Sequence, residues 1–218
     1  MDFSDISNLA YILPEWHRVV ERDYNHPAII GWCPLNETWQ FGSNEAFQND
    51  DFIRIIYDTT KLIDKTRPVI DTSGGYHVKT DIYDVHDYEQ NPAVFREHYD
   101  MLYREGVLFD NLNNMFSKKE TWRGEPVFMS EYGGTGFSLE DGGWGYGNTV
   151  RSAEEFYERY KGLTDAMLDN PRIFGFCYTQ LTDVELEMNG LYTFVDRAPK
   201  HDMSIIRGIN TRKAAVEE

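Results

Sequence analysis

Five short strand-like runs, at residues 28–35, 68–75, 82–88, 127–131 and 173–178, alternate along the chain with stretches of helical period. That alternation narrows the fold more than any other feature. A helix is expected from Pro14, with Trp16, Val19, Val20 and Asp23 on one face. A second carries Phe52, Ile55, Ile56, Thr59, Leu62 and Ile63, and a third Val94, Phe95, His98, Met101 and Leu102. The fourth carries Phe156, Tyr160, Leu163 and Met167. Asn25-His26-Pro27, Arg67-Pro68 and Asn170-Pro171 punctuate them. Strand–helix units in series predict a parallel sheet with right-handed crossovers, open or closed. A closed barrel needs eight strands, and this chain supplies five. The run at 28–35 is apolar on both faces, as expected of a parallel strand covered on each side.

Two of the runs end in an acid. Val127-Phe128-Met129 leads through Ser130 to Glu131 and is stopped by Gly133-Gly134. The run at 28–35 leads directly into Asn36-Glu37. Parallel strands presenting two glutamates at one end of a sheet are the equipment of a glycosidase, which in its retaining form needs two carboxyl groups about 5–5.5 Å apart. Glu37 and Glu131 are distant in sequence, so only a fold that closes can bring them together.

Composition removes several alternatives. With 21 Lys and Arg against 37 Asp and Glu, the net charge is −16, which repels phosphate backbones and anionic lipid. Neither nucleic acid nor membrane is an expected partner. No run reaches transmembrane length, and the Met1 end shows no export leader, so the compartment stays open with the cytoplasm as default. Cys33 and Cys177 each sit in an apolar run and are expected to be reduced, buried small hydrophobes. The glycine-rich stretch at 133–147 reads as a loop and lacks a phosphate-binding pattern. Trp39, Trp144 and Tyr146 are candidate sugar platforms or plain packing. His86 and Asp87 read as a hydrogen-bonded pair lining a cleft in preference to metal ligands. No metal or cofactor is expected.

Asn25-His26-Pro27-Ala28-Ile29-Ile30-Gly31-Trp32, ending in Asn36-Glu37, resembles the acid/base signature of glycoside hydrolase family 2. Ser130-Glu131-Tyr132-Gly133-Gly134 resembles its nucleophile segment. Residues 178–185, 189–191 and 196–200 resemble its last barrel strand and the loop after it. The resemblance covers about residues 14–200 and implies an α/β fold, a partial (β/α)8 TIM barrel holding strands four to eight. It implies Glu37 as acid/base, Glu131 as nucleophile, and Asn36 as a donor to the sugar 2-hydroxyl. It also implies a tyrosine beside the nucleophile, for which Tyr88, Tyr83 and Tyr132 compete. Gln180 and Asp183 leave the last strand toward the cleft as candidate sugar contacts.

Glucuronidases of the family read the substrate carboxylate with an Asn-x-Lys segment, and here Asn189-Gly190-Leu191 stands in that place. A neutral β-hexoside, β-galactoside-like, is therefore expected, hydrolysed through a covalent glycosyl-enzyme. The alternative is a truncated, non-catalytic fragment or carbohydrate-binding remnant. Residues 1–208 are expected to form the barrel half and 209–218 a polar tail. Open barrel edges predict self-association.

Overall fold

The computed structural model describes residues 1–39, 48–111, 122–138 and 142–218. Gln40, Phe41 and Gly42 of the first aromatic loop lie outside the described residues. Two compact units emerge, Met1–Val85 with Asp110–Val127, and His86–Phe109 with Phe128–Glu218.

In the first unit, helices α1 (Leu9–Asp23) and α2 (Asp50–Ile63) pack together. Asn49 caps α2 by accepting the N–H groups of Asp51 and Phe52, and Asp50 and Asp51 sit where the helix dipole favours negative charge. The buried stripe of α2 is Phe52, Ile53, Ile56, Tyr57 and Thr60, rotated from the expected one, while Leu62 is 75% exposed. The helical period was correct, but the position of α1 selected which face is buried. Helix α1 begins at Leu9, so Pro14 lies inside it instead of opening it. Packing of Leu9 against Leu35, Phe52, Ile53 and Ile56 favours that extra turn.

Beside these helices, two extended segments pair in parallel through bridges Trp32↔Val69 and Asn36↔Ser73. The ladder is short but continuous: Trp32 N–H to Pro68 O, Ile70 N–H to Trp32 O, Ser73 N–H to Leu35 O, and Glu37 N–H to Ser73 O at 2.7–3.0 Å. Trp32 and Leu35 face the core, whereas Ile30 is 79% exposed. Cys33 is also exposed, so the expectation of a strand covered on both faces is corrected. Asp64, wholly buried, accepts from the Trp32 indole at 2.9 Å and from Arg67 at 2.6 Å, tying the end of α2 to the ladder.

Strands β1 (Tyr83–Asp87), β2 (Val127–Gly133) and β5 (Ile173–Thr179) form a sheet in the order β1-β2-β5. Helix α3 (Pro92–Glu105) forms around the predicted stripe that contains Phe95 and Leu102, both buried. Asn91 accepts the Ala93 N–H, Pro92 occupies the first turn, and Gly106 ends the helix at φ 67°. Helix α4 (Ala153–Leu168) packs against α3 and buries Phe156, Tyr160, Leu163 and Met167 as expected.

The glycine-rich stretch is not simply a loop. Strand β3 (Thr135–Phe137), inside it, pairs in parallel with β4 (Tyr146–Val150), which starts at its end. Their core partners are Phe156, Tyr160, Leu191, Ile206 and Ile209, the last two from α5 (Met203–Asn210). That burial draws the helix past residue 208. Both cysteines are free, and Cys177, like Cys33, is exposed instead of buried. Among the described residues, no helix is long and apolar enough to cross a membrane.

Candidate active site

Strand β2 carries Glu131 near its carboxyl end, on the same face as the buried Val127 and Met129. The Tyr88 hydroxyl donates to Glu131 Oε2, and His86 Nδ1 stands 3.4 Å from the same oxygen. Tyr83 and Tyr132 are engaged elsewhere, with Asp110 and Thr164 respectively, each at 2.8 Å. Burial, and then the charge of Glu131, raise the Tyr88 phenol well above the usual tyrosine range, so it remains a donor. Its ring stacks on Tyr146 at 3.6 Å with 6° between planes. Gly134, at φ 58°, passes beneath this ring pair. A Cβ there would meet Tyr146 Cδ2 at 2.5 Å.

Asp87 does not line this site with its neighbour. Consecutive strand residues face opposite sides, and its buried carboxylate accepts from His98 Nδ1 at 2.7 Å and Tyr99 at 3.0 Å. A residue with no sequence signal, Gln90, braces the site instead. It donates to the carbonyls of Tyr88 and Gly133 and accepts from Thr135 Oγ1 at 2.8 Å.

In the first unit, Asn36 and Glu37 stand at the end of the parallel ladder. Glu37 has a φ of 45°, unusual for a residue with a side chain, and its N–H donates to Ser73 O at 2.7 Å. The half-buried Trp39 donates its indole N–H to Gly74 O at 3.0 Å. This turn is backed by Asp71, His77 and Asp84, which sequence reasoning did not single out. Three polar residues spread over fourteen positions carry no periodic signal.

The other expected sugar contacts have different surroundings. Trp144 is 50% exposed and meets Tyr146 edge-on at 6.0 Å. Gln180 donates to Asn189 Oδ1 at 2.9 Å. Asp183 is buried, receiving Lys200 Nζ at 2.7 and 2.9 Å and the Gly190 N–H at 2.8 Å. Leu191 packs in the apolar cluster around Phe137, Phe156 and Tyr160. The correspondence of Leu191 with a substrate-facing lysine is therefore corrected: an ammonium at this position would be buried among rings.

Parallel pairing, helices alternating with strands, and a glutamate held at a strand's carboxyl end define an α/β barrel domain of glycosidase type, present in part. Residues 4–213 match the family Glycosyl hydrolases family 2, TIM barrel domain, and the chain belongs to that family. Similar solved structures include a Bifidobacterium dentium β-glucuronidase complexed with coumarin-3-O-glucuronide, at 20% identity and TM-score 0.61 over 92% of this chain and 34% of that one. A GH2 β-galacturonidase from Eisenbergiella tayi bound to galacturonate matches at 17% identity and TM-score 0.60, covering 92% of this chain and 37% of that one. An FMN-binding β-glucuronidase from Facaelibacterium prausnitzii L2-6 matches at 19% and 0.65, covering 94% and 32%. The chain thus spans about a third of the length of each. No curated protein matches the chain.

Proposed function

We propose that this domain hydrolyses a β-glycoside with retention of configuration, through a glycosyl ester on Glu131. The observation that carries the reading is the Tyr88 hydroxyl on the Glu131 carboxylate, with His86 beside it. Such donors favour the ionised carboxylate and orient one oxygen for attack. Glu131 attacks the anomeric carbon as its bond to the leaving oxygen breaks, and Glu37 gives its proton to that oxygen. Water then attacks the same carbon, Glu37 takes the water's proton, and the ester bond to Glu131 breaks. Asn36 donates to the sugar 2-hydroxyl, a contact that strengthens as positive charge develops on the ring. Trp39, Trp144 and Tyr146 offer ring faces.

The preferred substrate is a neutral β-hexoside, β-galactoside-like. Lys200, which follows the segment at 189–191, is paired with Asp183 and screened from solvent. A second reading, a β-uronide, is favoured by the glucuronide and galacturonate named in the similar structures. Hydrolysis of nitrophenyl β-galactoside, β-glucoside and β-glucuronide by the active form of the protein separates the two. For the mechanism, Glu131→Gln is expected to lower turnover about 10⁴-fold or more on every substrate. Glu37→Gln should spare activated leaving groups in the first step and regain turnover with azide, with retained configuration. Equal losses for both variants on activated and unactivated substrates would refute the roles.

A further inference from the structure

The proposed acid/base sits on strained backbone at the end of a thin ladder, and something must hold it there. Glu37 has φ 45°, in the left-handed region that residues with a Cβ avoid. Such a conformation persists only where the surroundings over-determine it. Its amide is tied to Ser73 O at 2.7 Å, and Ser73 N–H is tied back to Leu35 O at 2.8 Å. Position and tilt of Glu37 therefore depend on the Ser73-Gly74 turn.

That turn is seized from behind by Asp84, whose Oδ2 accepts the Ser73 hydroxyl at 2.9 Å and the Gly74 N–H at 3.0 Å. Asp84 in turn faces His77, with Nε2 at 3.1 Å from its carbonyl and 3.3 Å from Oδ1. The other ring nitrogen of His77 lies 2.7 Å from Asp71 Oδ1. Asp71 is itself locked by the N–H groups of Thr72, Val78 and Lys79 at 2.7–3.0 Å. The side chains of both aspartates are wholly buried and that of His77 is 4% exposed.

Two desolvated carboxylates flanking one imidazole call for a proton on each ring nitrogen. Burial alone would lower the imidazole pKa, but the hydrogen bonds to Asp71 and Asp84 outweigh it and hold the pKa well above the ordinary value. A nearby contact, Asp84 N–H at 3.3 Å from Nε2, suits a neutral ring instead. The cationic form prevails because it pairs both carboxylates.

We infer that His77 is a positioning residue for Glu37: as a cation clamped between Asp71 and Asp84, it fixes the Ser73-Gly74 turn and through it the backbone of the acid/base. The inference rests on the reading of Glu37 given above. The clamp bears on the turn behind Glu37 through the Ser73 hydroxyl and the Gly74 N–H, so its loss should look like damage to proton transfer and not to nucleophilic attack.

The test has two readouts. Amide exchange by NMR on the chain compares Glu37 and Ser73 with Trp32 and Ile70, which lie in the same ladder but away from the turn. In His77→Gln, Glu37 exchange is expected to quicken at least tenfold relative to Trp32 and Ile70. Ser73→Ala cuts the hydroxyl link while leaving the buried charges in place, and should give the same pattern more weakly. In the active form of the protein, both variants should lose at least tenfold in kcat on an alkyl β-glycoside. The loss on the glycosylation step of a dinitrophenyl β-glycoside should be under twofold, and KM should be little changed.

Uniform quickening of all four amides in both variants, or none at Glu37, would overturn the inference, as would equal losses on the two substrates. Glu37→Gln run in parallel separates the failures. If it shows no leaving-group dependence, the acid/base reading falls and the inference with it. If it does and the His77 and Ser73 variants do not, the inference alone falls.

Discussion

The two glutamates stand on frameworks of unequal length. Glu131 stands on a seven-residue strand and is gripped at its carboxylate by Tyr88, with His86 beside it. Glu37 ends a ladder with two bridges and is held through its backbone, by a turn backed with buried charge. The difference suits the roles proposed. A nucleophile profits from donors that favour one charge state. A group that must pass a proton to the leaving oxygen and later take one from water profits from a main chain that keeps it in reach of both. The lesson is that a site residue can be fixed through donors to its carboxylate and also through the turn that carries its main chain.

The largest expected effect attacks the backbone support. Asp71→Ala leaves a buried imidazolium with one carboxylate and strands three backbone donors, which should cost about 3–5 kcal/mol in urea denaturation. A loss under 1 kcal/mol would mean that the Glu37 side needs no buried charge, and the contrast would collapse.

Tyr88→Phe probes the opposite support. Removing a hydrogen bond to a charged group is worth about 1.5–3 kcal/mol, or roughly 10- to 100-fold in kcat on nitrophenyl glycosides. Because the ring and its stack on Tyr146 survive, the melting temperature should barely move. A large drop in melting temperature with unchanged kcat would reverse the assignment of chemical and structural support.

Gly134→Ala strikes the backbone beneath that ring pair. The positive φ and the close approach to Tyr146 should together destabilise by about 1–2 kcal/mol, measured by denaturation, and lower kcat through displacement of Tyr88.

The smallest effect is acid-dependent and belongs to the second unit. His201 is buried, stacked on Phe156 at 3.8 Å and flanked by Phe137, Tyr157 and Lys200, and neither ring nitrogen has a hydrogen-bond partner among the described residues. Burial, then the Lys200 charge, lower its pKa to about 4. The folded state thus holds fewer protons than the unfolded state between about pH 6.5 and 4, so its contribution to stability is intact above that window and declines as pH falls through it. His201→Phe should flatten this acid limb in melts from pH 7.5 to 4.5, with little change at the upper end. An unchanged limb would show that His201 is not its source.

Much of the framework was legible because it rests on local rules. Asn91-Pro92 and Gly106 bound α3 by cap chemistry, and the run from Val127 to Gly133 reads as a strand through its apolar alternation and glycine stop. Elsewhere the rules ran out at packing. Periodicity placed α2 but not its buried face, which α1 chose. The glycine stretch hid β3 and β4, because the strand formers that pair, Thr135 with Tyr146 and Phe137 with Val150, are interrupted by Gly136 and Gly147. Asp87 and Asp183 looked like cleft residues because an acid at a strand end has no sequence mark for direction. One is turned to His98 and Tyr99, the other to Lys200.

By itself the amino-acid order determined the alternation of strands and helices, the family, and the two glutamates to watch, since these depend on periodicity and on short contiguous motifs. Tertiary structure decided what touches those glutamates. Tyr88 was chosen over Tyr83 and Tyr132, and Asp71, His77 and Asp84 were gathered behind Glu37's turn. Hydrogen-bond partners are selected by distance in space, and desolvated charges find one another only once a core has closed around them.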